Sequence, residues 1–188
     1  MSPPSSHKAG GAGDRTSALP FAPDLTILYP MSVSYQPAVE GTDANRIIEM
    51  MVEFYAHERI PFDEGTARAA LGAILRDDRL GRVFLILAGE EVAGYIVLSL
   101  GFSMEFHGRY ALLDELYVKE GYRRRGIGKK SIGFAEDLCR ELGVKALRLE
   151  VMRVNTAAQS LYRKAGFMDH ERNMMTRWLF TNAGEGSG

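Results

Sequence analysis

The chain has 188 residues, and its 23 Lys plus Arg nearly balance 24 Asp plus Glu, which leaves a formal charge of −1. This length suits one domain with its own hydrophobic core. The near-zero charge argues against a general nucleic-acid-binding protein, and the single cysteine excludes an internal disulfide or a cysteine-based metal site. No apolar run approaches the ~20 residues of a membrane span, and no apolar leader is present, so we expect a cytoplasmic protein without membrane or nucleic-acid partners.

The ends of the chain differ in composition from its middle. Residues 1–23 are rich in Gly, Pro, Ser and Ala, which predicts a disordered N-terminal extension. We place one folded domain at residues 24–182 and a flexible C-terminal tail at residues 183–188.

Strands and helices follow one another from about residue 31. Alternating polarity predicts a first strand, Asp43 is expected to cap the first helix, and Pro61 separates it from the second. The predicted strands are Met31–Tyr35, Arg82–Ala88, Val92–Ser103, Tyr110–Val118, Ala146–Val151, about Phe167–His170 and Met174–Phe180. The predicted helices are Asp43 to about Arg59, Asp63–Arg76, Gly126–Leu142 and Thr156–Lys164. This order indicates a mixed sheet flanked by helices, with a parallel crossover at the long third helix.

A basic, glycine-rich loop between a strand and that helix is the most informative motif. Residues Val118–Ser131 read VKEGYRRRGIGKKS, with six cations at Lys119, Arg123, Arg124, Arg125, Lys129 and Lys130. Free N–H groups at a helix start form an anion site, and glycines let the backbone approach a phosphate. An ATP-binding P-loop would need Lys at Ile127, and a dinucleotide fingerprint would need Gly at Ser131, so both registers fail. Arg-x-x-Gly-x-Gly fits residues 123–128, and the alternative is a solvated basic helix start.

The loop and its neighbours together resemble the GCN5-related N-acetyltransferase (GNAT) superfamily. The preceding strand LLDELYV (Leu112–Val118) is similar to the family's central strand, and LRLEVMRVNTAAQSLYRKAGF (Leu147–Phe167) to its second signature. The resemblance covers about Met31–Phe180. It implies an α/β (α+β) GNAT fold, with a mixed, mostly antiparallel sheet of six to seven strands and about four helices. It also implies acetyl-CoA as co-substrate, no metal, and direct transfer of the acetyl group to a primary amine.

The same resemblance assigns residues to acetyl-CoA. The loop would hold the pyrophosphate, and main-chain N–H groups would polarise the thioester where the central strand splays from its neighbour. Asn155 would bind the pantetheine arm or cap the following helix, and both roles are compatible. The resulting set is Leu116, Tyr117, Val118, Arg123, Arg124, Arg125, Gly126, Ile127, Gly128, Lys129, Asn155 and Tyr162.

Four residues are candidates for proton transfer. By resemblance Tyr162 would protonate the departing CoA thiolate, although a half-buried aromatic on a helix is the commoner use of Tyr. Asp114 and Glu115 are adjacent in an apolar strand and are expected to face opposite sides, with one of them desolvated. Glu150 lies twelve residues before Tyr162, as in relatives that acetylate protein N-termini. A water relay without a single carboxylate base is a further alternative.

The acceptor side combines acids and aromatic residues. The family holds its acceptor with the first two helices and the loop between the third and fourth strands. These regions contain Glu53, Phe54, Tyr55, His57, Glu58, Phe62 and Asp63, and then Phe102, Met104, Glu105, Phe106 and His107. Acids with aromatics suit an aliphatic amine of a small molecule, such as a polyamine or amino acid. The alternatives are protein N-terminal or lysine acetylation, a non-catalytic acyl-CoA-binding module, and a weaker nucleic-acid-binding reading; a homodimer is also possible.

Overall fold

The computed structural model describes residues 32–179, so the predicted extension at 1–23 and the tail at 183–188 lie outside the described residues. Over this range the chain forms five strands and four α-helices. The strands are β1 (Val33–Pro37), β2 (Gly81–Ala88), β3 (Glu91–Ser103), β4 (Gly108–Val118) and β5 (Ala146–Leu149). The helices are α1 (Glu40–Glu58), α2 (Glu64–Arg76), α3 (Ile127–Glu141) and α4 (Thr156–Lys164). None of these helices is long and apolar enough to cross a membrane.

The strands form one mixed sheet in the order β1-β2-β3-β4-β5. The first four pair antiparallel in sequence, and β5 pairs parallel with β4. A parallel neighbour requires a crossover, and α3 supplies it. The prediction of a mixed, mostly antiparallel sheet with four helices is therefore confirmed.

Helices cover both faces of the sheet, which explains the near-continuous apolar sequences of β2 and β3. One face packs Val83, Leu85 and Tyr95 against α1 and α2. The opposite face packs Phe84 and Ile96 against α3. Residues next to each other along β3 therefore face different helix layers, with Tyr95 and Ile96 both fully buried.

Within residues 32–179 the sheet has five strands rather than six to seven, so the prediction of two further strands after α4 is wrong for this range. Residues 167–179 have no ladder partner within the described chain. Side-chain ion pairs hold this segment instead: Arg163 binds Asp169, and Arg172 binds Glu105 at the β3–β4 turn. A strand forms only where backbone partners are available, and sequence alternation cannot supply them.

The boundaries of several other elements also differ from prediction. The first strand is Val33–Pro37 rather than Met31–Tyr35, and β5 ends at Leu149, two residues earlier than predicted. Helix α1 begins at Glu40 because Asp43, buried within its first turn, accepts a hydrogen bond from the Val39 N–H at 2.9 Å. Asp43 thus caps the helix from inside. Helix α2 begins at Glu64, one residue after its predicted start, because Asp63 is its N-cap residue and accepts from the Thr66 N–H at 2.8 Å.

Candidate active site

Strand β4 loses one of its two neighbours halfway along its length. It pairs with β5 only from Tyr110 to Leu113, and then continues to Val118 beside β3 alone. The Lys119 N–H donates to the carbonyl oxygen of Ala93, at the β3 side, at 2.8 Å. Successive residues of a strand direct their backbone groups to opposite edges. The N–H groups of Leu116 and Val118 therefore point away from β3, to the edge that β5 leaves unpaired.

This geometry corrects one expectation about the strand end. The carbonyl oxygen of Tyr117 faces β3, where it lies 2.0 Å from the position that a Cβ on Gly94 would occupy. Of the three residues expected to offer main-chain donors, Leu116 and Val118 do so, whereas the main chain of Tyr117 is turned towards β3.

The basic loop positions the start of α3 beside this opening. Arg124 and Gly126 adopt left-handed backbone conformations, with φ of 63° and 79°. Gly126 is the N-cap residue of α3, and the first turn has no side-chain cap from the described residues 32–179. The first N–H groups of a helix have no partner within the helix, and they lie at the positive end of its dipole. The residues at 127–129 therefore present donors suited to an anion such as a pyrophosphate.

Arg123 connects the loop to the end of β4. Its Nε donates to the carbonyl oxygen of Val118 at 2.9 Å, and its guanidinium lies 5.7 Å from the centre of the Tyr117 ring. The Tyr117 hydroxyl donates to the Glu53 carboxylate of α1. Burial and this hydrogen bond raise the pKa of Tyr117 to about 12. Arg123 therefore holds the loop in place, and Arg125, whose guanidinium lies over the Tyr122 ring, is held by a similar contact.

A first cavity, here called the loop cavity, lies between the end of β4, the start of α3, α1 and α4. Its volume is about 260 Å³. It is lined by Phe54, His57, Glu58, Leu116, Tyr117, Val118, Arg123, Gly128, Ala158, Leu161 and Tyr162. A Cβ on Gly128 would lie 3.3 Å from Cδ2 of Leu161, so a longer side chain would enter the cavity wall.

A second cavity of about 510 Å³, here called the acidic cavity, lies on the other side of Tyr162. Its lining includes four carboxylates and no Lys, Arg or His: Glu58, Asp114, Glu115 and Glu150. None of the four forms a salt bridge with another residue of the described range 32–179. Uncompensated negative charge of this kind favours a cationic occupant.

A β-bulge brings two of these acids to the same cavity. Along the β3–β4 ladder Glu115 pairs with Val97 and Leu113 pairs with Leu98, so Asp114 is an extra residue without a partner. A bulge re-aims side chains that regular alternation would send to opposite faces. The expectation that Asp114 and Glu115 face opposite sides is therefore wrong, because both line the acidic cavity.

Glu115 is held at the floor of this cavity by two tyrosines. The Tyr55 hydroxyl of α1 donates to Oε1, and the Tyr95 hydroxyl of β3 donates to Oε2, both at 2.7 Å. Burial raises the pKa of Glu115, and the two hydrogen bonds oppose that rise. Burial and the neighbouring carboxylate raise the pKa values of Tyr55 and Tyr95 well above the ordinary range, so both remain proton donors.

Asp114 and Glu150 form a second acidic group nearer to solvent, and both are exposed. Partial desolvation by the cavity walls and the like charge of Glu150 raise the pKa of Asp114, while a hydrogen bond from Ser99 opposes the rise. Two like charges at one site favour uptake of a proton by one of them.

Tyr162 lies where the two cavities meet. Both cavities share the side chains of Phe54, Glu58, Leu116, Ala158 and Tyr162. Burial, and secondarily the charge of Glu58, raise the pKa of the Tyr162 phenol, so it is protonated at neutral pH. A proton donor at this junction can serve groups in either cavity.

Of the remaining predicted residues, some line the site or support it, and others lie outside it. Asn155 caps α4, accepting from the Ala158 N–H at 3.1 Å, and it also lines the acidic cavity. Cys139 is buried in α3, where burial raises the pKa of its thiol. The predicted acceptor residues 102–107 line neither cavity. Within residues 32–179 no group of His, Cys, Asp and Glu is arranged to hold a metal.

Sequence reasoning assigned no role to Tyr95 and only a general one to Glu58. Tyr95 lies within an otherwise apolar buried strand, and a hydroxyl in that setting requires a buried partner, which is the signal that could have found it. No comparable sequence feature marks Glu58, at the end of α1, as a residue of the site.

Comparisons with known proteins point to one family. The model of the acetyltransferase (GNAT) family matches residues 45–167. Thialysine N-epsilon-acetyltransferase of Bos taurus is 36% identical over 150 residues, which cover 73% of this chain and 85% of that protein. Mycothiol acetyltransferase of Pseudarthrobacter chlorophenolicus is 28% identical over 151 residues, covering 78% of this chain and 46% of that protein.

Among solved structures, an integron cassette protein from the mobile metagenome of Cole Harbour Salt Marsh aligns with a TM-score of 0.69 and 32% identity. The alignment covers 79% of this chain and 91% of that one. The family match spans more than half of the chain. It includes the basic loop, strand β4, which lines both cavities, and Tyr162. The chain therefore belongs to the GNAT family and is an acetyl-CoA-dependent N-acetyltransferase.

Proposed function

We propose that the protein transfers the acetyl group of acetyl-CoA directly to a primary amine of a small molecule. The observation that carries this proposal is the acidic cavity, which adjoins the loop cavity at Tyr162. Among the described residues its lining holds four carboxylates and no basic side chain. An ammonium group fits the acidic cavity by charge. The thialysine and mycothiol acetyltransferases among its relatives are consistent with a small acceptor.

The loop cavity suits acetyl-CoA on three observations. The first turn of α3 has no side-chain cap, Gly128 leaves the cavity wall open, and β4 offers the N–H groups of Leu116 and Val118 beside the gap left by β5. We assign the pyrophosphate to the residues at 124–129. We assign the pantetheine arm to the gap between β4 and α4, near Asn155. When bound, acetyl-CoA supplies an activated thioester.

The residues around the junction then move two protons. The acceptor must lose a proton, because an ammonium with a pKa near ~10.4 has no free electron pair at neutral pH. The Asp114–Glu150 pair faces the acidic cavity and can take that proton directly or through water. Tyr162 can donate the proton that the thiolate of CoA requires, and the strand N–H groups can polarise the thioester carbonyl. Because Cys139 is buried away from both cavities, we expect transfer without an acyl-enzyme.

The test is an acetyl-CoA-dependent thiol-release assay with four classes of acceptor: polyamines, amino acids, aminoglycosides and N-terminal peptides. The proposal expects turnover with a small primary amine and little with peptides. Preferred turnover of peptides would instead assign the protein to N-terminal or lysine acetylation, and absence of turnover with every amine would overturn the proposal.

A further inference from the structure

The contacts around Glu115 set this carboxylate apart from the other three acids of the acidic cavity. Each of its oxygen atoms accepts a 2.7 Å hydrogen bond from a tyrosine, one on α1 and one on β3. Tyr95 is fully buried behind the carboxylate, and Tyr55 lines the cavity beside it. Glu58, Asp114 and Glu150 accept no comparable pair of hydrogen bonds from described residues.

The tyrosines are themselves fixed by packing. The ring of Tyr55 meets the edges of Phe54 and Phe62, at centroid distances of 5.8 and 5.3 Å. Tyr95 packs in the core between α1 and the sheet, 6.0 Å from the ring of Tyr117. The position of the carboxylate is therefore set from two secondary-structure elements that are far apart in sequence.

We infer that Glu115, fixed by the positioning residues Tyr55 and Tyr95, is the anchor for a second cationic group of the acceptor and is not the residue that takes the proton. The inference rests on the proposed function and names the substrate class more closely, as an amine with two positive charges. The reacting amine lies at the junction with Tyr162, and the second ammonium lies at the floor of the cavity.

The surroundings of Glu115 support its role as an anchor. A carboxylate has about four acceptor positions, so two phenol bonds leave room for an ammonium. A carboxylate held rigidly by two donors binds a cation without losing side-chain freedom of its own. Glu58 and Glu150 line the same 510 Å³ cavity, so the reacting amine and the second cation each have a carboxylate. The exposed Asp114–Glu150 pair is open to solvent and can release a proton there.

The experiment compares 1,4-diaminobutane with butylamine, two probes of equal chain length that differ by one ammonium group. Binding of each to the CoA-saturated enzyme is measured by titration calorimetry, and kcat and KM are measured by thiol release. The anchor predicts that the diamine binds roughly tenfold or more tightly than the monoamine, as expected for one hydrogen-bonded ion pair. Glu115→Gln should remove most of this preference, and it should raise the KM of the diamine more than it lowers the kcat of the diamine.

Two further variants test the positioning residues. Tyr55→Phe and Tyr95→Phe keep each ring and remove one hydrogen bond to Glu115. Each should reduce the diamine preference by raising the KM of the diamine more than it lowers the kcat of the diamine. Tyr35→Phe is the matched control, because it also removes a phenol hydrogen bond, to Ser131 Oγ at 3.2 Å, away from the acidic cavity. It should leave the preference intact.

The outcomes separate this inference from the proposed function. Equal affinity of wild-type enzyme for the two amines overturns the anchor, whatever the turnover. A Glu115→Gln variant that loses kcat equally for both amines also overturns it, because that result makes Glu115 the proton acceptor. Tighter binding of the diamine without acetyl transfer supports the anchor and contradicts the proposed function.

Discussion

Replacing Gly128 by Leu tests whether the loop cavity is the acetyl-CoA site. A Cβ at this position already lies 3.3 Å from Leu161 Cδ2, so the rest of a leucine side chain must extend into the cavity beside the first turn of α3. A pyrophosphate displaced from that turn would lose at least two charge-assisted hydrogen bonds, each worth about 1.5–3 kcal/mol. The expected loss is therefore about 3 kcal/mol or more, or roughly a hundredfold weaker CoA binding.

Gly133→Leu provides the matched control in the same helix. A Cβ at Gly133 meets nothing within 4 Å, so the added side chain should not disturb CoA. Gly133→Leu replaces a helical glycine by a better helix former in open space, so it should not lower the thermal midpoint. CoA affinity is measured by titration calorimetry, and Gly128→Leu with wild-type affinity would refute the assignment of the cavity.

Three other substitutions probe separate parts of the account. Tyr162→Phe should lower kcat by about a hundredfold or more while the dissociation constant of CoA stays nearly unchanged, and unaltered turnover would remove Tyr162 as the acid. Glu150→Gln removes a like charge that raises the pKa of Asp114. The acidic limb of the pH profile of kcat/KM should therefore move to lower pH. A limb that keeps its position or moves to higher pH would contradict Asp114 as a proton acceptor. Asn155→Ala removes the cap on the Ala158 N–H and should lower the free energy of unfolding in urea by about 1 kcal/mol, and an unchanged value would show that the cap adds nothing.

The features that sequence predicted well are those that local patterns determine. The basic loop and the start of α3 depend on residues within a few positions of each other, and α3 begins one residue after its predicted start. The helix α4 has the predicted bounds, Thr156–Lys164, because its cap and apolar face are also local.

The features that sequence missed depend on residues far apart in the chain. The bulge at Asp114 arises from the register between β3 and β4, which no local pattern reveals. The hydrogen bonds to Glu115 come from residues 60 and 20 positions away. The two strands predicted after α4 depend on the same kind of distant contact, and within residues 32–179 they have no backbone partner.

The central claim is that the loop cavity and the acidic cavity meet at Tyr162 as the donor and acceptor sides of one active site. A crystal structure of the protein with bound CoA and 1,4-diaminobutane tests it most directly. We predict the pyrophosphate within hydrogen-bond distance of the first N–H groups of α3, the CoA sulfur beside the Tyr162 hydroxyl, and the amine in the acidic cavity. A sulfur atom directed away from Tyr162, or an amine bound outside the acidic cavity, would contradict the account.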